Sequence, residues 1–187
     1  AAGARLVLLI EARLPAVWDV AQMGVGGKYG AWAACAATQP FSREVTIMAH
    51  NRIRTFNTSD TYPEQNLDND LCQAVVTAGG RTVWMRGQCP QNLDDAKTID
   101  SHDPVEQTHK VMQNIRQLVK EAGGEMAHLV KLVVYITDVR HREAVYRTMG
   151  EYIKGVHPVC TGLVVQALAR PEWLVEIDAT AVIPDGA

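Results

Sequence analysis

The 187-residue sequence predicts an α+β fold, in which a mixed β-sheet carries two helices on one of its faces. Residues 129–137 and 174–183 alternate apolar and polar side chains, the period of two expected of a strand with one buried face. Residues 105–122 and 140–154 place apolar side chains three and four positions apart, the spacing of an amphipathic helix. Because each helix has a single apolar stripe, we expect both helices to cover the same face of the sheet.

Three short strands are predicted before the first helix. Residues 52–57 predict the first strand, and a polar, proline-containing loop follows over residues 58–71. Residues 73–78 and 82–88 predict two further strands. The glycine-rich turn at residues 79–81 between these two strands favours a β-hairpin.

Capping residues mark the ends of the predicted helices. Asp103, Pro104 and Glu106 stand at the N-cap, N1 and N3 positions of the first helix. A carboxylate accepts free amide hydrogens there, and proline loses no hydrogen bond at N1. Gly123 supplies a stop for the first helix and Gly155 a stop for the second.

The last two strands are predicted at residues 161–168 and 174–183, and the short link between them favours an antiparallel hairpin. Alternation in the final strand places its apolar side chains on one face: Val175, Ile177, Ala179, Ala181 and Ile183. The other face carries Glu176, Asp178 and Thr180, which is unusual unless that face meets water, a ligand or another subunit. We therefore expect copies of the chain to associate through this open face.

Composition and charge argue against several classes of protein. The net charge of -3 gives no electrostatic reason to expect a nucleic-acid partner. No apolar run approaches the roughly 20 residues that span a membrane, so we expect a soluble protein without a membrane partner. The four cysteines form no CxxC pair, which argues against a zinc site and a disulfide scaffold and favours a reducing, cytoplasmic setting. These cysteines are Cys35, Cys72, Cys89 and Cys160. We expect no metal and no cofactor.

Residues 1–50 differ in composition from the rest and are predicted to be an N-terminal extension of unknown role before one domain at residues 51–187. The extension is rich in alanine and glycine and shows no sustained periodicity. Its segment GVGGKYG, at residues 24–30, lacks the ending of a phosphate-binding loop, so we interpret it as an ordinary loop.

Four segments of the domain at residues 51–187 together form a family pattern. They are QAVVTAGGRTVWMRGQ at residues 73–88, QTHKVMQNIRQLVKEAGG at 107–124, LVKLVVYITD at 129–138 and VEIDATAVIP at 175–184. In order and spacing they resemble the RidA/YjgF family of reactive-intermediate deaminases, also described as L-PSP endoribonuclease-like proteins. The resemblance implies a chorismate-mutase-like fold and a homotrimer, with the sheets facing inward and clefts between neighbouring subunits.

The resemblance also implies an activity and a set of site residues. Better-known members hydrolyse small enamines and imines to ammonia and a 2-keto acid, and the glutamate that positions water corresponds to Glu176. The arginine that clamps the substrate corresponds to Cys160, whose thiol cannot make the bidentate contact of a guanidinium. Arg86 and Arg140 are candidates to replace this clamp, each from another wall of the cleft. The candidate substrate-binding residues are Arg86, Gly87, Arg140 and Leu71.

Other functions remain open from the same residues. With an arginine nearby, Cys160 would favour its thiolate form and act as the nucleophile of a hydrolase of small amide-like substrates. A non-catalytic metabolite-binding or chaperone-like role, or the RNA cleavage for which some relatives are labelled, are further alternatives. His102 and His109 lack a third ligand, which argues against a metal site.

Overall fold

The computed structural model describes residues 50–186. Most of the predicted N-terminal extension, including the segment at residues 24–30 and Cys35, lies outside the described residues. No helix within residues 50–186 is long and apolar enough to cross a membrane.

The order of strands and main helices agrees with the predicted order. In the described part of the chain the elements are β1 (Asn51–Asn57), α1 (Thr58–Thr61), β2 (Asp70–Val76), β3 (Arg81–Trp84), α2 (Pro104–Glu121), β4 (Leu129–Ile136), α3 (Arg142–Tyr152), β5 (Val159–Val164) and β6 (Val175–Ile183). Short 3₁₀ turns lie at Pro63–Gln65, Met126–His128 and Val139–His141. The segment predicted as a loop after β1 therefore contains one short helix and one 3₁₀ turn.

The two long helices begin where polar side chains cap them. Asp103 Oδ1 accepts a hydrogen bond from the backbone N–H of Val105 at 2.9 Å, which confirms the predicted start of α2. The helix α3 begins later than predicted, because Asp138 Oδ1 first accepts from the backbone N–H of Arg140 at 2.8 Å and caps a 3₁₀ turn there.

The main sheet has four strands in the order β3-β6-β4-β5, and both long helices contribute to the core on one face of it. The strand β6 runs antiparallel to β3 and β4, while β4 and β5 are parallel. The predicted α+β class is confirmed, and so is the buried face of β6, on which the five side chains predicted to face the core are all buried. Side chains that form the centre of the core include Val111, Met112, Ile115, Leu132, Val134, Met149 and Ile177.

The predicted hairpin of the last two strands is wrong, because β4 lies between β5 and β6. The strand β5 ends at Val164, so residues 165–174 form a longer connection that passes the end of β4. There the backbone N–H of Val165 donates to Ile136 O at 2.8 Å, and that of Thr137 donates to Leu174 O at 3.1 Å.

The predicted hairpin of β2 and β3 is also wrong. The strand β2 pairs with β1 in a separate two-stranded sheet, whereas β3 pairs with β6. The backbone N–H of Cys72 donates to Pro158 O at 3.2 Å, which places β2 beside the start of β5. Gly79 and Gly80 have φ values of 67° and 81°, in the region that favours glycine, and the chain bends there. A glycine turn signal identifies such a bend but not the strand with which each flanking segment pairs.

Candidate active site

The open face of the main sheet carries two carboxylates and a tyrosine. In the register of β4 and β6, Tyr135 pairs with Glu176 and Val133 pairs with Asp178. These side chains are half-buried and point away from the core that the helices cover. Tyr135, Glu176 and Asp178 line a surface depression of about 330 Å³, and the connection after β5 forms its other wall.

A β-bulge after β3 brings a further segment against the carboxylates. Trp84 pairs with Thr180, and Gln88 pairs with Ile177, so one strand advances by one more residue than the other. Gln88 and Ile177 exchange both backbone hydrogen bonds, at 2.9 and 3.0 Å. The residues on either side of Gln88 therefore lie opposite the two acidic residues of β6.

Gly87 lies directly against both carboxylates. A Cβ at this position would overlap Glu176 Oε1 and would lie 3.0 Å from Asp178 Oδ1. The absence of a side chain therefore leaves the space that the two carboxylates occupy. Because both oxygens approach the same point, the carboxylates converge over the backbone of residue 87.

Hydrogen bonds and burial set the protonation of the groups around this point. Tyr135 Oη donates to Asp178 Oδ2 at 3.0 Å, and this hydrogen bond raises the pKa of Tyr135. Cys89, which is 3 % exposed, lies beside Glu176 and Arg86. Burial, together with the neighbouring Glu176 carboxylate, raises the pKa of Cys89 to about 12, so this group is a neutral thiol at pH 7.

Cys160 and Leu71 lie in a different cavity, on the helix side of the sheet. Cys160 pairs with the core residue Leu132, so its side chain points toward α3 rather than toward Glu176. The cavity has a volume of about 450 Å³ and lies between the β1–β2 pair, the start of β5 and α3. Leu71, Tyr146 and Cys160 are among the residues that line it.

The thiol of Cys160 is neutral in this cavity. Burial raises its pKa to about 11, although Tyr146 and Arg142 both act to lower it. The Arg142 guanidinium stacks over the Tyr146 ring, with Cζ 4.6 Å from the ring centroid. A Cβ at Gly162 would overlap the Tyr146 hydroxyl, so the glycine admits this side chain against β5.

Arg140 lines neither of these two cavities in the structure as described. Its Nε donates to both carboxylate oxygens of Asp138, at 3.0 and 2.9 Å, on the exposed surface after β4. This contact lowers the pKa of Asp138 to about 2. Of the predicted site residues, the structure thus brings Glu176, Gly87 and Arg86 together and places the others elsewhere.

The two histidines considered as metal ligands have different surroundings. His102 is exposed, whereas His109 is half-buried between α2 and α3, with its Nδ1 3.0 Å from Tyr152 Oη. Among residues 50–186 no group of three or more His, Cys, Asp or Glu side chains could hold a metal ion.

Three residues of the open-face site were not selected from the sequence. Alternation had placed Asp178 on the open face, and the same period over residues 129–137 places Tyr135 there, but nothing in the pattern distinguishes either from its neighbours. Cys89 reaches Glu176 only because of the bulge before Gln88, and the sequence carries no clear signal for that irregularity.

Comparison with known proteins agrees with the sequence pattern. The family model described as endoribonuclease L-PSP matches residues 66–183. Protein DfrA of Myxococcus xanthus is 31% identical over 110 residues, which cover 59% of this chain and 82% of that protein. A RutC family protein of Pyrococcus abyssi is 28% identical over 102 residues, which cover 54% of this chain and 79% of that protein.

A solved structure gives the same assignment. YyfB from Yersinia pestis, a protein of unknown function in the conserved Rid family, is 28% identical to this chain, with a TM-score of 0.61. The match covers 73% of this chain and 100% of YyfB. Together with the family model, these similarities show that the chain belongs to the endoribonuclease L-PSP family, to which the Rid/YjgF proteins also belong.

Proposed function

We propose that the chain hydrolyses a small enamine or imine to ammonia and a carbonyl compound on the open face of the sheet, with Glu176 orienting the attacking water. One observation carries this proposal: the Glu176 carboxylate lies in a surface depression, directly against the backbone of Gly87. A carboxylate in this position can accept a proton from water and direct the water oxygen at a carbon above it. The resemblance to imine deaminases supplies the class of substrate.

The surroundings of Glu176 support such a hydrolysis. The side chain is half-buried beside Tyr135 and the connection after β5, so part of its surface is shielded from bulk water. Arg86 is exposed and lies beside Cys89, which also neighbours Glu176. Its guanidinium is a candidate partner for a substrate carboxylate, which it can bind through two parallel hydrogen bonds.

We also propose that copies of the chain associate through the open face as a homotrimer in the cytoplasm. Trp84 is 80% exposed on the same side as Thr180, with which it pairs. Burying so large an aromatic surface against another copy would remove it from water, as expected for an association surface. Light scattering at several protein concentrations tests this assembly, and a monomeric mass at all of them would contradict it.

The rate of ammonia release from freshly generated 2-iminopropanoate tests the proposed reaction. Replacing Glu176 by Gln keeps the size of the side chain but removes the proton acceptor, so we expect a rate at least about 100-fold lower. The matched control is Glu121→Gln, on the exposed end of α2, which we expect to act like the wild type. Equal rates for the wild type and Glu176→Gln would overturn the proposal.

The geometry gives less support to a hydrolase that uses Cys160 as its nucleophile. The thiolate is the reactive form, and a pKa of about 11 leaves little thiolate at pH 7. The side chain also lies on the opposite face of the sheet from Glu176. Changing Cys160 to Ser should therefore leave ammonia release within a few-fold of the wild type, whereas a complete loss would favour the cysteine mechanism.

A further inference from the structure

We infer that Asp178 is a second catalytic residue, which binds the substrate nitrogen while that nitrogen gains a proton and leaves as ammonia. This inference rests on the proposed function, because it assigns a role within the same reaction. Asp178 differs from Glu176 in its surroundings, and these differences give the two carboxylates different tasks.

The position of Asp178 follows from the sheet. It lies two residues after Glu176 on β6, so both side chains point to the open face. The bulge places Gly87 opposite Asp178, and the missing side chain lets Asp178 Oδ1 approach the point at which Glu176 Oε1 is held. A small substrate above this point can therefore contact one oxygen of each carboxylate.

Tyr135 fixes the orientation of Asp178. Its hydroxyl donates to Oδ2 at 3.0 Å, so Oδ1 is the oxygen that remains directed toward Gly87 and Glu176. The hydrogen bond to Asp178 also raises the pKa of Tyr135, which keeps the phenol protonated and donating. The carboxylate is thus oriented before substrate binds, as an acceptor for N–H groups needs to be.

The two convergent carboxylates favour a cationic group between them, whereas Arg86, exposed beside Cys89, is the candidate partner of the substrate carboxylate. Two carboxylates that converge repel each other, and a positive charge between them relieves the repulsion. The thiol of Cys89, 3 % exposed and opposite Glu176, is neutral and adds no charge of either sign. A protonated imine, and later an ammonium group, has the charge and the N–H donors that this arrangement can bind.

The reaction then balances without any further reactant. The water oxygen bonds to the carbon of the protonated imine, the carbon–nitrogen π electrons move to nitrogen, and Glu176 takes one water proton. That proton passes to the nitrogen, whose N–H groups donate to Asp178. The carbon–nitrogen bond then breaks and its electron pair leaves with ammonia, while Glu176 takes the hydroxyl proton as the carbonyl forms. Glu176 passes this second proton to the ammonia, which leaves as ammonium, and the carboxylate is regenerated.

The test compares Asp178→Asn, Glu176→Gln and wild type in the ammonia-release assay, with Tm values to verify folding. We expect Asp178→Asn to lower kcat by about 10- to 100-fold, because the amide carries no charge to balance the cationic nitrogen. Tyr135→Phe leaves the carboxylate but removes its fixed orientation, so we expect a smaller, several-fold loss of kcat. Asp185→Asn, on the exposed end of the chain, is the control and should act like the wild type.

Two results would overturn the inference, and they are distinguishable. If Glu176→Gln is slow while Asp178→Asn and Tyr135→Phe both keep the wild-type kcat, the proposed function stands and the role of Asp178 is refuted. If the wild type itself releases ammonia no faster than buffer, the proposed function fails and the role of Asp178 fails with it.

Discussion

The substitution Gly87→Ala adds a single methyl group at the point where the two carboxylates converge. The new Cβ would overlap Glu176 Oε1 and lie 3.0 Å from Asp178 Oδ1, so the Glu176 carboxylate must move. A displacement of about 1 Å at a catalytic group costs about 100-fold in rate. We therefore expect kcat/KM for ammonia release to fall by about 100-fold.

The same change should have a smaller effect on folding. Gly87 does not have a positive φ, so alanine can adopt its backbone conformation without strain. The carboxylates that must give way are half-buried side chains at a depression, which limits the loss in free energy of unfolding to about 1–3 kcal/mol. Urea denaturation measures this loss in the free energy of unfolding separately from the rate of ammonia release.

Gly155→Ala is the matched control, and it should show the opposite behaviour. Gly155 has a φ of 71°, and a Cβ there would meet no described atom within 4 Å. Alanine at this position strains the backbone at a cost of about 1 kcal/mol, but it leaves the open face unchanged, so we expect an unaltered rate. If Gly87→Ala kept the wild-type rate, the close contact with Glu176 would have no catalytic significance.

Three further predictions concern stability and thiol chemistry. Leu132→Ala should lower the free energy of unfolding by about 2–5 kcal/mol, because it opens a cavity in the core, whereas Val76→Ala, 49% exposed on β2, should cost about 1 kcal/mol or less in urea denaturation. Asp103→Ala should cost about 0.5–2 kcal/mol by circular dichroism in urea, through loss of the cap of α2, and an unchanged midpoint would contradict that role. Alkylation of Cys89 and Cys160, followed by mass spectrometry, should be slow at pH 7, because only the thiolate reacts and the pKa values are about 12 for Cys89 and about 11 for Cys160. The rate of alkylation should rise about tenfold per pH unit. Fast labelling at neutral pH would refute this prediction.

The sequence predicted the elements of this fold better than their pairing. Alternation in β4 and β6 identified the buried face of each strand, and the residues Asp103 and Pro104 identified the start of α2. Both signals are local, because they depend on periodicity and on the ends of one element. Pairing in the order β3-β6-β4-β5 joins residues far apart in the chain, so a turn such as that at Gly79 could not reveal it.

In the candidate site, too, the sequence carried the local signals but not those that depend on long-range pairing. Glu176 was found because it lies in a strongly alternating strand and in a family pattern. The face of Cys160 could not be predicted, because the sequence VCTGLV of β5 does not alternate, and only the pairing with Leu132 shows that it points to the core side. The contact of Gly87 with Glu176 depends on one extra residue in a bulge, which shifts the pairing of the residues after β3 with β6 by one position.

A crystal structure with a bound 2-keto acid, the product class of the proposed reaction, tests the central claim most directly. We predict that the carbonyl carbon of the product lies next to Glu176 and Gly87 on the open face of the sheet. A product bound only in the cavity beside Cys160, with Glu176 directed into bulk solvent, would contradict the proposed function.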